Sequence, residues 1–305
     1  MSSSSDPNPD SSAVADDPAG SGPAKLSEPS TGDARTRRVA LGLSYDGTGF
    51  HGFAPQPGQR TVAGELARAL VQMSGTAPLI ICAGRTDAGV HATAQVAHVD
   101  LDAEFVDRRL RAGALGEGQE IPRLAESLSS LLGPEIGVWR ALLAPAGFDA
   151  RRSAWARRYR YDIDNGRRPD PLRRTTTWHV EAPLDLATMR LAADAVLGEH
   201  DFSAFCRRPP GDSNGPIVRR VEQASWAVID EGRLRFEIES NAFCHQMVRS
   251  IVGALVATGR GTMRPSDVVR LLESKSRAGA PNPAPPGGLC LVAVRYPPEL
   301  TGDWE

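Results

Sequence analysis

Two apolar runs, Leu79-Ile80-Ile81-Cys82 and Thr93 to Val99, flank the decapeptide A-G-R-T-D-A-G-V-H-A at residues 83–92. Each run reads as a short strand, the first of them buried. A chain that turns between strands in so few residues needs unusual backbone angles, and Gly84 and Gly89 are placed to permit them. The fold must therefore hold a strand–loop–strand unit. Its loop presents one acid, Asp87, and one guanidinium, Arg85, two residues away. A carboxylate on a rigid loop beside a cation is suited to act as a nucleophile or a general base. It is equally suited to an ordinary turn in which the aspartate bonds its own backbone. Spacing alone leaves both readings open.

The rest of the chain supplies the frame. Residues 1–36 are rich in Ser, Pro, Asp, Gly and Ala and contain no aromatic residue. Such a segment cannot bury enough apolar surface to fold, and we expect an acidic, disordered tail. Val39, Leu41, Leu43 and Tyr45 alternate as in a strand that Asp46-Gly47 ends. Thr61 is a candidate N-cap for a helix whose buried face carries Val62, Leu66 and Met73. Helices are expected near 104–115 and 123–132, and a strand near 136–143. The second half repeats the pattern. It has a strand near 153–163, a helix through Leu186, Met189 and Ala193, and strands near 217–229 and 233–240. A helix marked by Phe243, Met247, Ile251 and Leu255 follows, then a shorter one from Pro265 to Leu272 and a last strand at 289–296. Two β-α-β-β units predict an α+β fold of two ferredoxin-like halves, with mainly antiparallel strands and helices on one face. The expected division is a tail at 1–36, an N-terminal domain at 37–145, a C-terminal domain at 146–298 and a second tail at 299–305.

Charge and cysteine content narrow the function classes. Of 305 residues, 41% are hydrophobic and 24% charged, as in soluble globular proteins. No apolar run reaches transmembrane length and no secretory leader is evident, so a cytoplasmic location is expected. Cys82, Cys206, Cys244 and Cys290 are scattered and form no C-x-x-C pair. They read as reduced core residues, not zinc ligands or a disulfide framework. The net charge of −2 hides a tail at −4 and a remainder at +2. Nine arginines and three acids lie between Arg151 and Arg174. Arginine's planar fork suits phosphate, so the cluster points to a polyanionic partner. Arg249 is a cation in an otherwise apolar helix and calls for a buried acid or a phosphate. Gly47-Thr48-Gly49-Phe50-His51-Gly52 matches G-x-G-x-x-G, but Pro55 and Pro57 separate it from its helix. We read it as a loop, not a dinucleotide site. His91 and His98 share no metal-ligand spacing with a nearby acid or cysteine, so structural or substrate-contact roles are expected for them instead of a metal site.

The literal string Gly84 to His91, G-R-T-D-A-G-V-H, resembles the catalytic loop of the TruA-type tRNA pseudouridine synthases. Other stretches agree in order: Val39 to Gly47, Phe148 to Arg151 with Ala156 to Tyr161, Asn241 to Gly253, and Gly288 to Tyr296. The resemblance covers residues 38–298. It implies the pseudouridine synthase fold, with a cleft between the halves. It also implies isomerisation of tRNA uridines at positions 38–40 of the anticodon stem-loop, and a homodimer. This reaction needs no redox cofactor, nucleotide triphosphate or metal.

By the same resemblance Asp87 is the essential carboxylate, acting on the sugar as nucleophile or base, and Arg249 sits against it. Arg85 would hold phosphate and occupy the space of the extruded nucleotide. Tyr159 would stack on the flipped uracil and is the candidate for the final C5 deprotonation. Leu289 would close the apolar side of the pocket, and His91 would contact substrate. The chain departs from the family pattern at Phe53-Ala54, where Trp-Gln is common, and in longer stretches at Arg111 to Pro122 and Arg207 to Pro216. Two rival classes are a catalytically silent RNA-binding protein on the same scaffold and a nucleotide-dependent enzyme using Gly47 to Gly52.

Overall fold

Strand β1 (Thr36–Tyr45) begins where alternating apolar residues begin, and Val39, Leu41 and Leu43 are fully buried. This is a computed structural model that describes residues 35–110, 116–208 and 215–305. Most of the expected acidic tail, residues 1–34, lies outside the described residues. Helix α1 (Val62–Ser74) starts at Thr61, whose hydroxyl accepts from the Gly64 N–H, and stops at Gly75 with φ 78°. A left-handed stop of this kind suits glycine because a Cβ would be strained there. β2 (Ile81–Cys82) and β3 (His91–Asp102) flank the acid loop, but the first strand is shorter and less buried than the run 79–82 suggests: Leu79 is 77% exposed and of these four residues only Cys82 is buried. α2 (Ala103–Asp107), α3 (Pro122–Leu132) and β4 (Ile136–Leu143) complete the first half. Of the helix expected over 104–115, α2 ends at Asp107 and residues 108–110 are not helical; residues 111–115 lie outside the described residues.

The second half runs β5 (Ala156–Asp164), β6 (Trp178–His179), α4 (Leu186–Asp194), β7 (Gly198–Asp201), β8 (Val218–Asp230), β9 (Arg233–Ser240), α5 (Met247–Gly259), α6 (Pro265–Ser274) and β10 (Leu289–Arg295). Among the described residues, the strands form one mixed, mainly antiparallel sheet in the order β4-β1-β3-β10-β5-β9-β8-β7. β2 and β6 pair at its side with β3 and β5. The α+β class expected from the sequence holds. Its halves meet where β10 runs parallel to β3, pairing Cys290 with His91 and Leu291 with Ala92, and antiparallel to β5. This seam brings the acid loop, which ends at His91, beside β5. The proposed domain division near residue 145 falls between β4 and β5.

Alternation gives β5 two unlike faces. Tyr159, Tyr161 and Ile163 are buried, with Phe236 and Ile238 of β9 beside them. Burying each large apolar side chain contributes roughly 1.5–3 kcal/mol. The opposite face carries a charged ladder. Arg158 reaches Glu305 at 2.6 Å and Glu239 at 3.7 Å, while Arg235 holds Asp162 through two bonds of 2.7 and 2.9 Å.

Three sequence expectations change. The helix marked by Phe243 begins only at Met247, because Gln246 has φ 63° and breaks the helical path. Residues 299–305, set apart as a tail, pack on the sheet. Trp304 is buried, pairs its backbone with Val294 and lies 5.4 Å from the Trp139 ring. The cysteines do not all stay reduced. Cys206 and Cys244 form a disulfide with Cα atoms 5.7 Å apart, while Cys82 and Cys290 are free and buried. Spacing could not find that bond, because its two ends lie 38 residues apart and meet only when the chain before α5 folds back on the turn at 202–205. The cysteines therefore no longer argue for a reducing compartment. Among the described residues, no helix is long and apolar enough to cross a membrane.

Candidate active site

The loop after β2 is held from beneath by buried polar groups. Gln95, fully buried on β3, donates to the Gly84 carbonyl at 2.6 Å and towards the Tyr45 hydroxyl at 3.3 Å. Tyr45 and Thr86 share a hydroxyl hydrogen bond of 2.8 Å. The glycine-rich stretch 47–52 buttresses the same loop. Phe53 N–H donates to the Thr86 carbonyl, and Gly89 N–H to the Phe50 carbonyl. A Cβ at Gly47 would collide with the Val90 backbone, and one at Gly52 would stand 2.8 Å from the Thr86 oxygen. These glycines therefore serve close backbone packing, not pyrophosphate binding. The carboxylate of Asp87 is left at the surface of this braced loop, about one-fifth exposed.

The wall facing Asp87 comes from the segment that enters α5. Arg249 Nη1 donates to Asp87 Oδ2 at 3.0 Å, and its Nε donates to the Ala284 carbonyl at 2.8 Å. The acid partner expected for Arg249 is thus Asp87 itself, 162 residues away. His245 Nε2 lies 3.6 Å from the other carboxylate oxygen. Sequence reasoning passed over His245. Its only signal was its place between Phe243 and Arg249, and the positive φ at Gln246 is what turns it to the cleft. Tyr159 lies deeper and meets Phe243 edge-on, with ring centroids 5.1 Å apart. Gly84 leaves room for the phenol, since a Cβ there would be 3.3 Å from the Tyr159 oxygen. Burial pushes the Tyr159 hydroxyl well above the ordinary phenol value, and the charge of Asp87 adds to that rise. The hydroxyl is therefore neutral near pH 7.

The other expected site residues have mixed fates. Arg85 is exposed on the acid loop and makes no ion pair among the described residues. Leu289 is buried at the start of β10, opposite Tyr161 and not Tyr159. His91, expected to contact substrate, is a buried joint. Its Nδ1 accepts from the Gly47 N–H at 3.1 Å and its Nε2 donates to the Thr175 carbonyl at 2.8 Å. Asp46 also lies 3.2 Å from Nδ1. A nitrogen already accepting from Gly47 has no proton for that carboxylate, so the neutral tautomer explains the contacts.

The arginine cluster divides too. Arg157 is buried, and Arg158 and Arg160 face acids of the sheet. Arg151, Arg152, Arg167 and Arg168 are exposed. Arginines on a central strand find partners among neighbouring strands, whereas those on the loops before and after it remain open to a polyanion.

Comparison with known proteins gives a consistent result. Residues 192–297 match the model of a family described as tRNA pseudouridine synthase. A protein named tRNA pseudouridine synthase A from Leifsonia xyli subsp. xyli is 43% identical over 271 residues, which covers 85% of this chain and 92% of that protein. One of the same name from Frankia casuarinae is 43% identical over 264 residues, covering 86% and 90%. A third, from Coxiella burnetii, is 39% identical over 268 residues, covering 86% and 94%.

Proposed function

The chain belongs to the tRNA pseudouridine synthase A family, and on that premise we propose that the Asp87 cleft converts uridine to pseudouridine at positions 38–40 of the tRNA anticodon stem-loop. The enzyme is an isomerase. The single observation that supports the site is the 3.0 Å contact between Arg249 and Asp87, which joins the two sequence stretches that resemble the family's motifs.

The reaction breaks the C1′–N1 bond, turns the uracil and joins C5 to C1′, and the C5 proton leaves in exchange for one on N1. The reacting bond is inaccessible in a stacked stem, so the nucleotide must be flipped at a cost of a few kcal/mol. Arg85, exposed beside the acid, offsets that cost by holding phosphate where the nucleotide leaves the stack. Tyr159 offers an aromatic face to the flipped base. Leu289, on the same sheet face, closes the apolar side.

Asp87 acts on the sugar as its ionised carboxylate. Arg249 donates to one oxygen and leaves the other, the one His245 faces, open to the cleft. Tyr159 enters as a neutral phenol, which is a weak base. Stacking is its main part, and it takes the C5 proton only if it passes its own onward. The protein works on tRNA as a homodimer in the cytoplasm.

Asp87→Asn should lower pseudouridine formation by at least about 1,000-fold and leave tRNA affinity within about threefold. Mass spectrometry of the anticodon stem-loop reads both the product and its position. Turnover within tenfold of the parent would reject Asp87. Pseudouridine elsewhere in the tRNA would reject the positions and keep the chemistry. Tight tRNA binding with no product from the parent chain would favour the silent RNA-binding alternative.

A further inference from the structure

Arg157 precedes Tyr159 by two residues on the cleft side of β5 and is only 8% exposed. Among the described residues its guanidinium meets no carboxylate. Nε and Nη2 donate to the Ala83 carbonyl at 3.1 and 3.0 Å. Nη1 donates to the carbonyls of Ala154 at 2.8 Å and Asn241 at 2.9 Å. Nη2 also donates to the Arg151 carbonyl at 2.6 Å. A guanidinium has five N–H donors, and these contacts use all of them. None remains for a phosphate, so Arg157 is not one of the RNA contacts that its place in the arginine cluster suggests.

Burying an unpaired cation is costly, and a well-packed apolar residue would serve stability as well or better. Desolvation lowers the Arg157 pKa accordingly. What the guanidinium supplies instead is geometry. Its four acceptors belong to three separate chain segments. Ala83 begins the acid loop, four residues before Asp87. Arg151 and Ala154 lie in the turn that leads into β5. Asn241 begins the segment that carries Phe243, His245 and Arg249. The planar fork fixes these backbones relative to one another in a way that a lysine ammonium cannot.

We propose that Arg157 is a positioning residue that sets the gap across the cleft between Asp87 and Arg249. This rests on the pseudouridine synthase reading of that cleft. Reacting groups displaced by about 1 Å lose on the order of 100-fold in rate. Arg157 acts on turnover through two loops that it touches only at their backbones.

The test uses Arg157→Lys in the full chain. This variant keeps the charge and part of the hydrogen bonding but loses the fork. The proposal expects a folded protein with tRNA affinity and KM within threefold of the parent and kcat lower by about 100-fold. Hydrogen exchange of the same protein should show weaker protection in 84–90 and 241–249, with the β8–β9 hairpin unchanged. The proposal is overturned if kcat stays within threefold, or if affinity falls while kcat holds, which would make Arg157 an RNA contact. It is also overturned if protection falls evenly through the chain or the variant does not fold, which would make it a general support. Should the parent chain form no pseudouridine, the functional reading fails by itself, and the exchange pattern still decides whether Arg157 couples the two loops.

Discussion

Asp87 projects from a loop tied to the side chains of Gln95 and Tyr45 and to the backbone of Phe50 and Phe53, all four residues buried. Arg249 and His245 face it from a segment that is half-exposed, enters its helix through a positive φ and is linked sideways by Cys206–Cys244. One wall of the cleft is braced mainly from within its own half of the sheet, with Arg157 of the other half tied to it at Ala83. The other is hung from partners in several places. The carboxylate can therefore keep its position before RNA arrives, while the cationic wall has room to adjust as a nucleotide enters. Preorganisation of the charged group that acts on the sugar is worth more than rigidity in its partner. That asymmetry is open to challenge at each wall.

After Asp87→Asn and Arg157→Lys, the next largest loss of turnover is expected at the braced wall. Gln95→Leu leaves the part-buried Gly84 carbonyl without its donor, at a cost of about 1–3 kcal/mol. Turnover should fall more than tenfold and the melting temperature should drop, while tRNA affinity stays within threefold. An unchanged kcat would mean that the loop is held by something other than this network.

The hung wall should respond more in stability than in rate. Replacing Cys206 and Cys244 together by serine releases a span of 38 residues. In the chain-entropy account this costs at most about 4 kcal/mol. The melting temperature should fall by several degrees and turnover by only a few-fold, and a thiol reductant should reproduce the fall in the parent chain. A melting temperature indifferent to reductant would remove the disulfide from this picture. A 100-fold loss of turnover would make this wall as rigid in its role as the other.

The smallest effects concern the approach to the cleft. Arg151→Gln with Arg152→Gln should lower the slope of log affinity against log salt by about two, one for each phosphate left without its cation. Arg158→Gln with Arg160→Gln should leave that slope unchanged, because those side chains face Glu239, Glu305 and Asp162. The reverse result would place the RNA on the opposite face of the sheet from Tyr159.

Much of this was legible in residues 79–99, where strand, loop and strand follow one another with the acid between the glycines. The strand pattern of β1 and the Thr61 cap were legible for the same reason. Each depends on neighbours within a few positions. His245 was not legible, since the periodicity of Phe243, Met247 and Ile251 suggests an unbroken helix and hides the left-handed residue at 246. The arginine run from 157 to 160 was legible as a charge cluster but not as three different environments.

The local patterns that the sequence by itself determined are the alternation of the strands, the helix faces and the presence of one acid in a tight loop, because short-range sterics and hydrophobic period act within each segment. Only the tertiary structure decided what those segments meet. The pairing of β10 with both β3 and β5 brings the acid loop to Tyr159, and the return of the chain before α5 sets Arg249 against Asp87. The same packing turns Arg157 inward to four carbonyls and turns Arg158 outward to Glu305. A charged side chain takes its role from the partners that desolvation forces on it, and in this chain those partners lie up to 162 residues away.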